Sequence, residues 1–138
     1  MSIRGTFYAV TDSQLVRLLE GSLGGDDFLA GCSPEAPAEH FSGGEAVWYE
    51  LTKLLGSEDG CGVEGTEAIP EGGAYSFSAD VQRISGRLSA LDREELARRY
   101  ADLETDFAFD EIHAAILGLV TFYQRSAASK LAMLFNIR

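Results

Sequence analysis

Four residues of this 138-residue chain have the types to bind a soft metal or to form a nucleophilic pair: Cys32, His40, Cys61 and His113. They match the inventory of a Cys2His2 zinc site. Structural zinc sites draw their ligands in pairs two to four residues apart, whereas the nearest two here, Cys32 and His40, have seven residues between them. The spacing argues against zinc, and no metal is expected. A Cys–His nucleophilic pair would draw on the same residues, and its geometry depends on long-range contacts that spacing does not encode. Cys61 lies in a glycine-rich stretch, where a cysteine is more often incidental. His113 follows Ile112 near a helix start, where a surface or packing role outweighs general-base duty.

Gly60-Cys61-Gly62-Val63-Glu64-Gly65 is literally G-x-G-x-x-G, the dinucleotide fingerprint. Its context refutes that reading: no strand of parallel-sheet type precedes it, no helix opens from its last glycine, and Glu64 would face a pyrophosphate. Asp26-Asp27 with Glu64, Glu67 and Glu71 could meet a hard cation, but the alternating ligands and central glycine of a calcium loop are missing. Arg83 and Arg87, four residues apart, could clamp an anion; solvated flank positions explain them more simply. No pair of carboxylates is set apart by spacing for acid–base work. No cofactor is expected.

Charge is more informative. The net charge is −11, and between Leu18 and Gln82 thirteen acids face the single base Lys53, leaving nine acids and ten bases for the rest. The middle therefore carries −12 and the remainder +1. Nucleic acid and anionic membrane surfaces both ask for excess Lys and Arg, so neither is expected as a partner. An acidic face running from Glu20 through Glu71 would steer a basic protein instead, and Asp26, Asp27, Glu58, Asp59, Glu64 and Glu67 are its candidate contact residues. The alternative is a solvated face that aids solubility.

The elements that would position these residues follow from periodicity. At 138 residues the chain suits one domain with a real core, and its composition, 46% apolar and 24% charged, is that of a globular protein. The first residues, Met1-Ser2-Ile3-Arg4-Gly5, have no apolar signal core, so a cytoplasmic location with reduced cysteines is expected. Ile3 to Val10 reads as a strand buried on both sides. Thr11 and Gln14 make a capping box for a helix that Gly21 stops, with Val10 and Leu15 as its staple. A long polar connection runs to Gly44. Ser42 and Glu45 cap a second helix with Val47, Trp48, Leu51, Leu54 and Leu55 as its apolar stripe, so Trp48 is expected in the core.

After the acidic connection from Ser57 to Gly73, Tyr75 to Phe77 reads as a short strand and Ser78 as the cap of a helix carrying Val81, Ile84, Leu88 and Leu91. Asp92 and Glu95 then write a capping box for a further helix, with Leu91 and Leu96 as its staple. Glu94 with Arg98 and Glu95 with Arg99 are acid-before-base pairs that mark its outer side. Asp110 is expected to cap a central helix bearing Ile112, Ile116, Leu119, Val120 and Tyr123. Gly86 and Gly118 fall inside helices, where each costs about 1 kcal/mol relative to Ala, which suggests close approach of a neighbour. Leu131 to Ile137 reads as a strand apolar on both faces, expected to pair with the N-terminal one.

Three segments of this chain resemble the YfbM-like family, bacterial proteins of unknown function. They are Ile3 to Leu15, then Glu45-Ala46-Val47-Trp48-Tyr49-Glu50-Leu51-Thr52-Lys53-Leu54-Leu55-Gly56, then Ser89-Ala90-Leu91-Asp92-Arg93-Glu94-Glu95-Leu96 with Tyr100. Between Gly56 and Ala74 the chain departs from the family, being short and unusually acidic. The resemblance implies an α+β fold and supplies no catalytic residues. The fold expected is thus α+β, a small sheet with paired terminal strands covered by about five helices. The function expected is a non-enzymatic one: binding a basic protein partner, of the immunity or antitoxin kind, as a monomer or weak dimer. The competing class is a small enzyme acting on a small molecule or nucleotide-derived group, with its site between the Cys61 connection and the last helix.

Overall fold

A computed structural model describes residues 5–22, 24, 39–41, 46–55, 64–66 and 73–137. In chain order these form β1 (Gly5–Val10), α1 (Asp12–Glu20), β2 (Glu39–His40), α2 (Trp48–Leu55), β3 (Glu64–Thr66), β4 (Gly73–Ser76), α3 (Ser78–Ala90), α4 (Arg93–Ala101), α5 (Phe109–Ala128) and β5 (Ala132–Ile137). The sheet is antiparallel throughout, in the order β2-β1-β5-β4-β3. The two terminal strands pair as expected, with Phe7 opposite Phe135 and Tyr8 opposite Leu134.

The alternation of a strand sends successive side chains to opposite faces, and here both faces are buried. Phe7, Ala9, Met133 and Phe135 enter the larger core, which α2, α3, α4 and α5 cover. Val10, Ala132 and Leu134 enter a smaller one beneath Leu15 and Leu18 of α1. That is why β1 and β5 are apolar at nearly every position, and why β5, in the middle of the sheet, is the most completely covered strand. Phe7 and Phe135 lie 4.6 Å apart between ring centroids. Burying an aromatic side chain of this kind contributes about 1.5 to 3 kcal/mol.

Local signals place the helix ends where they are self-contained. The Thr11–Gln14 capping box is complete, with both reciprocal bonds present, and Gly21 closes α1 in the left-handed region at φ 82°. The Asp92 carboxylate accepts from the Glu95 N–H at 2.7 Å and so caps α4, while Leu96 is buried and Leu91 packs against the same core. Glu95 does not reach back to complete the box; its carboxylate instead meets Arg98 and Arg99.

Several expectations are corrected. Ser78 is the first residue of α3 and not its cap; Phe77 occupies the cap position without a side-chain bond. The acceptor comes from α1, where Asp12 takes the Ser78 N–H. Asp110 does not cap α5 either, since Ala108 holds that position and Asp110 lies in the first turn. Arg98 pairs with Glu95 three residues before it, not with Glu94. Arg99 turns inward and donates to the Leu54 carbonyl at 2.6 Å, closing the C-terminal end of α2. Of the two helical glycines, only Gly118 meets a neighbour: a Cβ there would lie 3.0 Å from Phe41 Cε1, whereas one at Gly86 would meet nothing within 4 Å. The acidic connections also contain strands that periodicity missed, β2 and β3. The expected Ser42–Glu45 box and residues Ile3 and Arg4 lie outside the described residues.

Trp48 is packed against the larger core as expected, and it does so by lying on Gly5. A Cβ at Gly5 would collide with the Cβ of Trp48 and lie 2.9 Å from Phe135 Cε1, so only glycine lets α2 sit this close to β1.

Candidate functional site

The densest cluster of chemistry-bearing side chains among the described residues joins the first turns of α4 and α5. Arg93 donates to Asp110 Oδ1 at 2.8 Å and lies 3.1 Å from His113 Nδ1, with its guanidinium 5.0 Å from the centre of the Phe109 ring. His113 stacks on the same ring, at 5.5 Å and 23°. Tyr100 packs 5.3 Å from Phe109 and donates its hydroxyl to the Phe107 carbonyl at 2.7 Å. A guanidinium only donates, so His113 Nδ1 accepts and the ring proton sits on Nε2. The imidazole lone pair that a general base would use is thereby engaged. Arg93 and Asp110 are 59% and 82% exposed, so their ion pair is worth at most about 1 kcal/mol. The cluster is a clasp between two helices.

Beside it, the acids of a hollow lined by Asp92, Glu94, Glu95 and Arg98 are largely committed to α4 itself. Asp92 is on a backbone N–H, and Glu95 is on Arg98 and Arg99.

The second cluster is on α2. Its inner side holds Glu50, which is 8% exposed and accepts from the Thr105 hydroxyl at 2.9 Å; that hydroxyl in turn accepts from the Phe107 N–H. Thus α2 fastens the connection between α4 and α5. Its outer side presents Tyr49, 47% exposed, with the Lys53 ammonium 5.3 Å from its ring centre and the Trp48 ring perpendicular to it, 6.0 Å away between centroids. Sequence reasoning passed over Tyr49. The available signal was its position four residues before Lys53, the one base of the acidic middle.

Of the candidate contact residues, Asp26, Asp27, Glu58, Asp59 and Glu67 lie outside the described residues, as do Cys32 and Cys61. Glu64 falls in β3, opposite Tyr75, so it belongs to a strand and not to an irregular connection. His40 is exposed in β2, its ring 6.3 Å from that of Tyr8, and His113 is on the clasp. Arg83 pairs with Asp80. The described acids do not make one face: Glu20 ends α1 on one side of the sheet, while α2 lies on the other and turns Glu50 inward. The acidic stretch does supply β2 and β3, the two outermost strands. Among the described residues no group of three or more His, Cys, Asp or Glu side chains is placed to hold a metal ion. No described helix is long and apolar enough to cross a membrane.

The family model for a domain of unknown function, DUF1877, matches residues 1–136. The fold is similar to that in the crystal structure of YfbM, a protein of unknown function from Escherichia coli. The two chains are 16% identical, the match covers 98% of this chain and 99% of that one, and the TM-score is 0.65. No curated protein matches this chain significantly. Both findings agree with the resemblance carried by the three sequence segments.

Proposed function

We propose that this chain, which belongs to the DUF1877 family of unknown function, is a non-catalytic cytoplasmic protein that binds a basic protein partner, of the immunity or antitoxin kind. The observation that carries this reading is the partition of charge: −12 between Leu18 and Gln82 against +1 elsewhere. Thirteen acids beside one base repel one another and cost stability, and a field of that sign raises the association rate of a positively charged partner. The arrangement of α2, β2 and β3 supports it, because all three come from the acidic stretch and two of them are the outer strands of the sheet. The engagement of His113 Nδ1 by Arg93 gives no support to an enzyme centred on the last helix.

The test is charge reversal. Glu58→Lys, Asp59→Lys and Glu67→Lys are combined, leaving Glu64 in place because it is part of β3. The triple variant should keep the wild-type thermal midpoint and lose retrieval of specific partners from native cytoplasm. In the wild type, association should slow as salt is raised. Retrieval of the same partners with the same salt dependence by the variant would reduce the acidic stretch to a solubility device.

A further inference from the structure

We infer that His113 makes the clasp between α4 and α5 pH-sensitive: as a neutral imidazole it holds Arg93, and on taking up a proton it releases Arg93 and competes for Asp110. The inference is independent of the acidic stretch and of any partner. Three observations carry it.

The first is the direction of the bond. Arg93 Nη1 lies 3.1 Å from His113 Nδ1, and a guanidinium has only donors, so the bond exists only while Nδ1 keeps its lone pair. A protonated ring turns an N–H toward the guanidinium instead. The acceptor is lost, and two cations are left side by side.

The second is a rival acceptor. Asp110 stands three residues before His113 on the same helix, the spacing at which side chains on one face meet, and it already takes Arg93 Nη2 at 2.8 Å. With a neutral ring, Arg93 has two acceptors on α5. With a charged ring it has one, for which the imidazolium competes. The guanidinium lies over the Phe109 ring and the imidazole stacks on it, so the exchange takes place between side chains already gathered on one aromatic face.

The third is that no other charge on the packed elements offsets the change. Among the described residues the charged groups beside the ring are Arg93 of α4 and Asp110 of its own helix. Elsewhere on α4, Asp92 caps the helix, Glu95 is engaged by Arg98 and Arg99, and Glu94 lies with them in the hollow. Asp80, Arg83 and Arg87 of α3 and Glu50 and Lys53 of α2 make no bond to the ring: Arg83 is on Asp80, Glu50 on Thr105, and Lys53 over Tyr49. Asp106 and Glu111 are exposed and do not bond to it, and Ala132–Ile137 of β5 has no charged residue.

Histidine is the side chain that ordinarily changes charge between about pH 5 and 8. The Arg93 bond is therefore present toward the upper end of that range and lost toward the lower. There the polar hold of α5 on Arg93 falls to an exposed ion pair, above the packing of Tyr100 on Phe109.

Double-mutant cycles on the intact chain test this. Arg93→Ala, His113→Ala and the double variant are unfolded in urea at pH 8 and pH 5, and the cycle isolates the energy that the two side chains share. At pH 8 the coupling should raise the folding equilibrium constant about two- to fourfold, and at pH 5 it should vanish or change sign. The cycle for Arg93 and Asp110 is run with His113 present and with His113→Ala. An aspartate ordinarily keeps its charge at pH 5, so this coupling should weaken on acidification only where the imidazole is there to compete. Nitrogen NMR of the ring is the second readout, with the exposed His40, the only other histidine, as internal control. His113 should show the Nε2–H tautomer at pH 8.

An Arg93–His113 coupling of equal size at both pH values, no coupling at pH 8, or an Nδ1–H ring overturns the inference. So does an Arg93–Asp110 coupling that responds to pH alike in both backgrounds. Unchanged urea slopes show that the variants fold to the same extent.

Discussion

Asp12 and Ser78 are 66 residues apart in sequence and meet at the N-terminus of α3. Asp12 Oδ1 accepts from the Ser78 N–H at 2.8 Å, and Asp12 Oδ2 accepts from the Ser78 hydroxyl at 2.5 Å. One carboxylate thus lies in the first turn of α1 and also caps α3, adding negative charge at the positive end of two helix dipoles. It also ties α1, on one side of the sheet, to the helix that covers the other.

Loss of that carboxylate should be felt as loss of a cap. Asp12→Ala should lower stability by about 1 to 2 kcal/mol, at the upper end for a helix N-cap because the bonds are part-buried and doubled. Ser78→Ala removes only the hydroxyl bond and should cost about half as much. Urea midpoints with unchanged slopes would establish the order, and an Asp12→Ala loss no larger than that of the exposed Asp80→Ala would refute the tertiary cap.

Arg98 and Arg99 are neighbours with different tasks. Arg99 donates to Glu95 and to the Leu54 carbonyl, joining α4 to the end of α2, whereas Arg98 is 75% exposed and paired only along its own helix. Arg99→Ala should cost about 1 to 2 kcal/mol, and Arg98→Ala should stay within roughly 0.5 kcal/mol of wild type. Arg99→Lys should fall between, since an ammonium cannot reproduce the fork that serves both acceptors. Chemical denaturation of the three variants decides it; equal losses at 98 and 99 would dissolve the link between α2 and α4.

The two helical glycines separate propensity from packing. Gly86→Ala places a methyl in open space and should gain up to about 1 kcal/mol from helix propensity. Gly118→Ala has the same propensity gain but sets its Cβ 3.0 Å from Phe41 Cε1, so the net change should be zero or a loss. Calorimetric midpoints should therefore rise for the first variant and not for the second. A rise of equal size at both positions would mean that Phe41 does not hold its place against α5.

What the sequence determined is what neighbouring residues decide among themselves. The Thr11–Gln14 box, the Gly21 stop and the Asp92 cap each form within four residues, so residue type and spacing suffice to find them. The two-faced strands were legible for the same reason: Phe7 to Val10 and Ala132 to Phe135 have no polar position among them, which only a central, doubly covered place in a sheet can use. The charge partition was equally plain, being a matter of counting.

The tertiary structure decided whatever depends on who arrives from elsewhere. Ser78 looks like a cap in sequence, but its position as the first helical residue follows from Asp12 arriving across the fold with a better acceptor. Arg99 reads as an outer residue until the end of α2 offers it a carbonyl 45 residues away. Gly86 and Gly118 are alike in sequence and differ only in what stands opposite. Glu50 reads as one more acid of the charged middle until α2, seated closely by Trp48 on Gly5, carries it inward to the Thr105 hydroxyl. The physical reason is common to all of these. A side chain's type sets what it can bond to, while burial and long-range pairing set which partner is within reach, and those distances exist only once the sheet has brought its two ends together.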